Sequence, residues 1–597
     1  MNTGNAFCQY GLSPDSAIHV NGAFNAYAGA PTRDIMPTWQ VTDNVSYVKG
    51  KHNINAGIEI YNNRVNETQN FFTGGSLNFS GQFSGVPAAD FLLGEYASYE
   101  QIGGLSSRLH QTLPSAYVQD DIKLTKRLVA TAGVRWDIVT GYTSENNQLM
   151  SFQSGKQSTV FPLATPDLLF PGDKGILKDV IGTRWNDIAP RVGFAWDIRG
   201  NGRSSLRAGF GSYFIPMTEG ITPNRLTLIQ PYTLEVYIVG GNAQNIFGGA
   251  PYNGVNPFPR PTANDLAGLR KLPFVPTASE SSLPTNAKTE VSYDWSLSFQ
   301  QALWRKATLE TDYVGSSSSH LVASAESNPA RYIPGASTLS NTQSRRIYPQ
   351  IGSINSILNA FSSNNNALDV VFNQQLLKSI NVTSSYTWSK SMGVDVNEQA
   401  GSEGPRDPFD YNLSYSPLTF DITDNWVSSF FWQPLGGYNF ISSLLKTALG
   451  GWQLGGIATV QTGLPLNLYS GFDNSFSGIG EDTPDVIGNY NLPNQSRANQ
   501  IKHWFNTAAF RPNAIGTFGT LGNNALRSPG YWDVDLGVQK DFKFQDRYTL
   551  ESRVSLYNAF NHANLDAPVN TLTSQQFGQI LGASNPRVME LSLRLVF

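Results

Sequence analysis

Arg587-Val-Met-Glu-Leu-Ser-Leu-Arg-Leu-Val-Phe597, the last eleven residues of the chain, decide how the rest is read. Counting back from the end, Phe597, Leu595, Leu593, Leu591 and Met589 are apolar, and Val596, Arg594, Ser592, Glu590 and Val588 alternate with them. Successive side chains of a strand point to opposite faces. One face of this strand is therefore wholly apolar, and the other carries an Arg, a Ser and a Glu. A soluble sheet shows the same alternation. Stopping on the aromatic of the apolar face adds a second signal, that of a closing strand set between lipid and an aqueous interior.

The same period recurs along the chain. Val291, Tyr293, Trp295, Leu297 and Phe299 alternate with Ser292, Asp294, Ser296 and Ser298. Trp532, Val534, Leu536 and Val538 alternate with Asp533, Asp535, Gly537 and Gln539. Strands are expected near 39–48, 52–61, 115–124, 126–138, 190–198, 203–214, 290–301, 306–315, 366–377, 380–390, 424–433, 452–463, 531–542, 546–558 and 588–597. Short connectors (48–51, 124–125, 199–202, 302–305, 377–379, 543–545) separate long stretches rich in Gly, Asn, Ser and Pro (62–114, 139–189, 215–289, 316–365, 391–423, 464–530, 559–587). Short alternating with long predicts tight turns on one side of a membrane and large loops on the other. One connector, 434–451, breaks the rule and has room for a helical turn at 442–449. Residues 17–27 offer a sixteenth strand, 95–112 further strands, and 87–94 a short helix. The fold class predicted is all-β: a large antiparallel transmembrane β-barrel of about 16–22 strands, whole or incomplete, with long extracellular loops and short periplasmic turns. It occupies 1–597 as one domain, with 1–38 as a poorly defined N-terminal segment.

Composition agrees. Charged residues are 14%, against roughly 25% in soluble chains. With 25 Tyr and 12 Trp the chain has the material for interfacial girdles. A net charge of −4 without a basic block leaves no footprint for nucleic acid. No apolar run reaches the roughly 18 residues of a membrane helix. A single Cys8 excludes an internal disulfide framework and a Cys-based zinc site. The first residues, Met1 to Cys8, lack the basic and apolar regions of a signal peptide, so a fragment or misplaced start is expected.

Seven stretches together resemble TonB-dependent receptors of the Oar-like type. They are Pro114–Leu128 running on to Gly133–Asp137, Ala189–Asp197, Ser385–Lys390, Gly451–Gly456 with Gln461–Pro465, Trp504–Phe510, Arg527–Leu536 and Leu556–His562. The family has a signal peptide, a TonB box, a plug, often an N-terminal carboxypeptidase-regulatory-like domain, and a barrel of about 22 strands. The resemblance covers only the C-terminal part of the barrel, so a chain without plug and N-terminal domain is expected. It implies uptake of a bulky nutrient at the outer membrane, with lipid and the barrel-assembly machinery as partners. The TonB energy-transducing complex is a partner only if a plug half exists. Phe597, Leu595, Leu593 and Leu591 are then the membrane-insertion and assembly signal.

Other candidate sites weigh less. Asp473, Glu481, Asp482 and Asp485 are weak candidates for a calcium site, their spacing fits no standard loop, and a solvated acidic tip is the plainer reading. Glu551, Arg553, Glu590 and Arg594 are candidate lumen charges, with pairing across the ladder as the plainer reading; Arg135, Asp137, Arg191, Asp197, Arg207, Glu310, Asp312 and Asp369 are read alike. Ser316–Ser319 beside His320 reads as a loop tip rather than a nucleophile with its base. The six His have no ligand spacing, and no nucleophile elbow, phosphate loop or dinucleotide fingerprint occurs, so neither enzyme nor cofactor is expected. The alternatives are a non-transporting surface protein acting as adhesin or scaffold, and a secreted carbohydrate-binding β protein. The extracellular ligand is not legible.

Overall fold

The computed structural model describes residues 17–21, 23–27, 33–69, 72–217, 229–249, 252–258, 264–276, 278–304, 306–377, 379–394, 405–435, 443–480, 482–493, 495–544 and 547–597. Fifteen long strands form one antiparallel wall in chain order. They are β1 (Thr38–Lys49), β2 (His52–Gln69), β3 (Leu105–Lys123), β4 (Leu128–Val139), β5 (Arg184–Asp197), β6 (Ser204–Ile215), β7 (Glu290–Ala302) and β8 (Ala307–Glu326), followed by β9 (Ile354–Leu377), β10 (Ile380–Val394), β11 (Asp424–Trp432), β12 (Trp452–Gln461), β13 (Tyr531–Phe544), β14 (Tyr548–Tyr557) and β15 (Val588–Val596). All fifteen strands expected from the period are present, each paired with the next. Gly50, at φ 62°, closes the two-residue turn that sets Lys49 opposite His52. The exceptional connector holds a helix, Ser443–Leu449, where helical residues were expected.

β1 and β15 are the edges, fully exposed along their lengths, and no pairing joins them among the described residues. Both run toward the short-turn side. An all-antiparallel closure between them therefore takes an odd number of further strands.

The wall is amphipathic in the sense the period predicts. On β5 to β7, Val192, Phe194, Trp196, Phe210, Tyr293, Leu297 and Phe299 stand exposed on one face. Asp294, Ser296 and Ser298 alternate with the last three on the other. The terminal strand repeats this, with Leu591 and Leu593 at 73% and 75% exposure on the outer face. The four clusters of buried apolar side chains lie instead on the long-loop side. A soluble sheet would turn its apolar face onto a core; this one turns it outward along strand after strand.

Several strands outrun the membrane. β2, β3, β8 and β9 have 18, 19, 20 and 24 residues, against roughly 9–11 for a tilted transmembrane strand. Ser316–Ser319 accordingly belong to β8, laddered against both β7 and β9, and not to a loop tip. His320, at φ 60°, falls in the register shift between Ser319 and Leu321, a bulge. Four consecutive serines put polar side chains on both faces, so the alternation that betrays a strand in lipid is missing there.

The long connectors fold. Ala17–Val20 and Phe24–Tyr27, the expected sixteenth strand, form a hairpin outside the wall. It joins Ser76–Phe79, Glu95–Ile102 and Glu235–Asn242 in a separate five-stranded sheet. Only the second part of 95–112 enters the wall, as the start of β3. Phe91, on the expected helix Pro87–Leu93, meets Phe79 and Phe24 edge-on at 5.3 and 5.4 Å, and Gly94 at φ 75° ends that helix.

Candidate functional site

Two surfaces carry polar chemistry: the polar face of the wall and the cap of connectors above it. On the wall, Arg135 of β4 is fully engaged. It holds Glu59 at 2.9 Å, Asp137 at 2.7 Å and the Ser115 hydroxyl at 2.6 Å. Register explains the cluster, since Ser115 of β3 stands directly opposite both Glu59 and Asp137.

Glu551, Arg553, Glu590 and Arg594 share the polar face of β14 and β15. Glu551 stands opposite Arg594, at 4.0 Å. Arg553 donates to Ser555 at 3.1 Å rather than to a carboxylate, and Glu590 accepts from Tyr557 at 3.4 Å. Pairing across the ladder thus fails for that second couple, because register sets Arg553 opposite Ser592 and Glu590 opposite Ser555. Asp312 and Asp369 face each other directly, and Asp369 accepts from Thr387. Asp197 turns away to accept from Gly200 and Gly202, both at 2.9 Å, in the adjoining turn. Arg191 has no acidic partner among the described residues; its guanidinium lies 4.4 Å from the centre of the Tyr213 ring.

Of the hollows that indent this face among the described residues, two lie over facing glycines. One, of about 600 Å³, lies over the directly opposed glycines Gly455 and Gly537, with Gln453, Gln539, Asp535 and Arg553 around it. The other, of about 530 Å³, lies over the opposed pair Gly193 and Gly209 beside Arg191 and Asp294. No sequence motif marks them; facing glycines emerge only once the register is known.

The cap is locked by buried polar groups. Arg406 donates to Thr483 at 2.6 Å and to the Leu521 carbonyl, tying connector 395–423 to 462–530. Arg345 ties 327–353 to the same connector by donating to the Phe476 carbonyl at 2.9 Å. Arg527 forms an ion pair with the wholly buried Asp421. Asp173 accepts from the amides of Phe170, Thr159 and Val160 and the hydroxyls of Ser158 and Thr159. Burial pushes its carboxyl up, but those bonds, led by the Phe170 amide, outweigh it and hold the group below its ordinary value.

The acidic loop candidates serve this locking. Asp482 is buried and accepts from the Ser475 amide at 2.7 Å and Asn513 at 2.8 Å; burial raises its carboxyl above the ordinary range. Asp473 accepts from Ser475, Ser477 and Gly478, and Asp485 from Ala514. Glu481 lies outside the described residues. Among the described residues no three His, Cys, Asp or Glu side chains converge as metal ligands would. In the five-stranded sheet, burial and then the neighbouring Glu235 push Glu100 up to about 7, and burial raises Glu235 as well.

Tryptophans sit toward both ends of the wall. Trp196, Trp304, Trp432 and Trp452 flank the short turns, and Trp39, Trp136, Trp185, Trp388 and Trp426 the loop side, all exposed. Two such belts around an outward apolar band are the surface of a membrane-spanning barrel.

The family model of the outer membrane beta barrel domain matches residues 3–590, and the chain belongs to that family. It resides in the cell outer membrane, with its short turns on the periplasmic side. No curated protein matches the sequence. Among solved structures the chain is similar to the outer membrane transporter YddB from Escherichia coli, at 10% identity and a TM-score of 0.49, covering 98% of this chain and 58% of that one. It is similar also to the FrpB iron transporter from Neisseria meningitidis (11%, 0.44, covering 95% and 56%) and to the siderophore receptor PirA from Acinetobacter baumannii (11%, 0.44, covering 95% and 55%). The chain thus spans little more than half the length of each.

Proposed function

We propose that the protein is the wall of a TonB-dependent-receptor-like barrel of the Oar-like type, which captures a bulky nutrient at its cap and conducts it along the polar face. The observation that carries this reading is the cap itself. The connectors are not solvated fringe but an interlocked layer, built on buried Arg345, Arg406 and the Arg527–Asp421 pair. An ordered surface of this kind gives fixed donors and acceptors to a ligand without the entropy of arranging loops. In this reading the chain supplies wall and cap, and a plug supplied by further sequence couples the lumen to the TonB complex. Phe597 and the apolar face of β15 are read by the barrel-assembly machinery.

Gene deletion tests it. Cells offered a pool of large oligosaccharides, peptides and metal chelates should lose accumulation of one class on deletion, and equally on loss of TonB. Unchanged accumulation of every class would leave the surface-protein reading in its place.

A further inference from the structure

One row of the wall sets two opposite charges two strands apart, with a glycine between them over which the Tyr213 ring leans. Gly133 of β4, Arg191 of β5, Gly211 of β6 and Asp294 of β7 each stand directly opposite the next. Neighbouring strands are roughly 4.8 Å apart, so the Cα atoms of Arg191 and Asp294 lie about 10 Å apart across Gly211. In the adjacent row of the same face, Gly193 stands opposite Gly209, and Gly209 opposite Ser296. Gly193 and Gly209 leave this adjacent row low, a Cβ at Gly209 coming no nearer than 3.6 Å to the Ser296 hydroxyl, while the Tyr213 ring lies within 3.2 Å of where a Cβ at Gly211 would be. The result is the hollow of about 530 Å³.

Neither charge is neutralised. Among the described residues the Arg191 side chain makes no hydrogen bond or ion pair, and its Nε is buried without a partner. Tyr213 covers one face of the guanidinium and leaves its Nη donors for an acceptor. Asp294 accepts only from Ser292, at 2.7 Å. Arg135, one strand away, shows the alternative, a guanidinium saturated by two carboxylates. Arg191 lies six residues from the short-turn end of β5, roughly 20 Å along the strand and well inside the membrane. An ionisable group left uncompensated at that depth is where a passing ligand finds its partner.

We infer that this hollow binds a zwitterionic short peptide, with its carboxylate on the Arg191 fork and its ammonium on Asp294. The inference deepens the uptake reading and rests on it only in needing an aqueous polar face. Glycines at 193 and 209 let the ligand backbone lie on the strands beside the Tyr213 ring, where a side chain at either position would stand in its way.

The test uses the full chain refolded in detergent micelles, with triglycine as probe and titration calorimetry as readout. Faster gel migration of the unboiled protein reports the folded barrel separately, so loss of the barrel and loss of the site are distinguishable. Triglycine should bind, and C-terminal amidation or N-terminal acetylation should each weaken binding at least tenfold. Arg191→Gln should weaken triglycine tenfold and abolish the discrimination against the amide. Asp294→Asn should do the same for the acetylated peptide, and Gly209→Leu should block both. Arg207→Gln, outside the hollow, should leave affinity unchanged. Failure of triglycine to bind the folded wild type, or equal binding by folded Arg191→Gln, overturns the inference.

Discussion

Trp295 stands directly opposite Gly315 across the β7–β8 ladder, and its indole occupies the space a side chain at 315 would need. The pair fixes the outer face at one point: the large aromatic lies flat because its neighbour has no Cβ. Gly315→Val should destabilise the barrel by about 1–3 kcal/mol, as overpacking does. Trp295→Leu in the same chain should recover part of the loss, because the two residues share one space. Urea midpoints of the refolded protein in micelles check both; additive losses would separate the two residues.

The small sheet above the wall should respond to pH. Glu100 is held near 7, above its ordinary value of 4.5, by burial and then by Glu235. Its folded state therefore binds protons more tightly than its unfolded state. The stability this contributes is fully present below about 4.5 and is lost as pH rises through about 7. Hydrogen exchange in Glu95–Ile102 and Glu235–Asn242, corrected for intrinsic rate, should be slower at pH 5 than at pH 8. Glu100→Gln should reduce that difference, and exchange independent of pH in the wild type would contradict it.

Asp173 is the pin of its connector, with five donors converging on one carboxylate. Asp173→Ala leaves those donors without an acceptor and should cost about 1–3 kcal/mol locally. Limited proteolysis should cut within 153–173 several-fold faster in the variant while the wall stays intact. An unchanged rate would remove Asp173 from that role.

The wall was legible because lipid on one face and water on the other impose a strict period of two, visible in Tyr293 to Phe299 and again in Met589 to Phe597. The upper strands were not. Ser316–Ser319 are polar at every position and resemble loop, while the first part of β9 buries Ile354, Ile357 and Phe361 in the apolar clusters of the cap, a spacing that is not the period of two. The hairpin of Ala17–Tyr27 does alternate, but its partners are Ser76–Phe79 and the strands beyond, distant in sequence, and no local pattern names them. The candidate site was half legible: charged residues on the polar face could be named, yet which of them pair depends on register. Arg135 meets Glu59 and Asp137, while Arg191 meets glycine on both sides.

The central claim is that alternate residues of each wall strand face hydrocarbon and a polar interior. Single cysteines at Leu297 and Phe299, and at Ser296 and Ser298, in a Cys8→Ser background would each carry a polarity-sensitive fluorophore in liposomes. The account predicts quenching by brominated lipid tails at 297 and 299, and by aqueous iodide at 296 and 298. Quenching by lipid at 296 and 298, or no alternation at all, would contradict it.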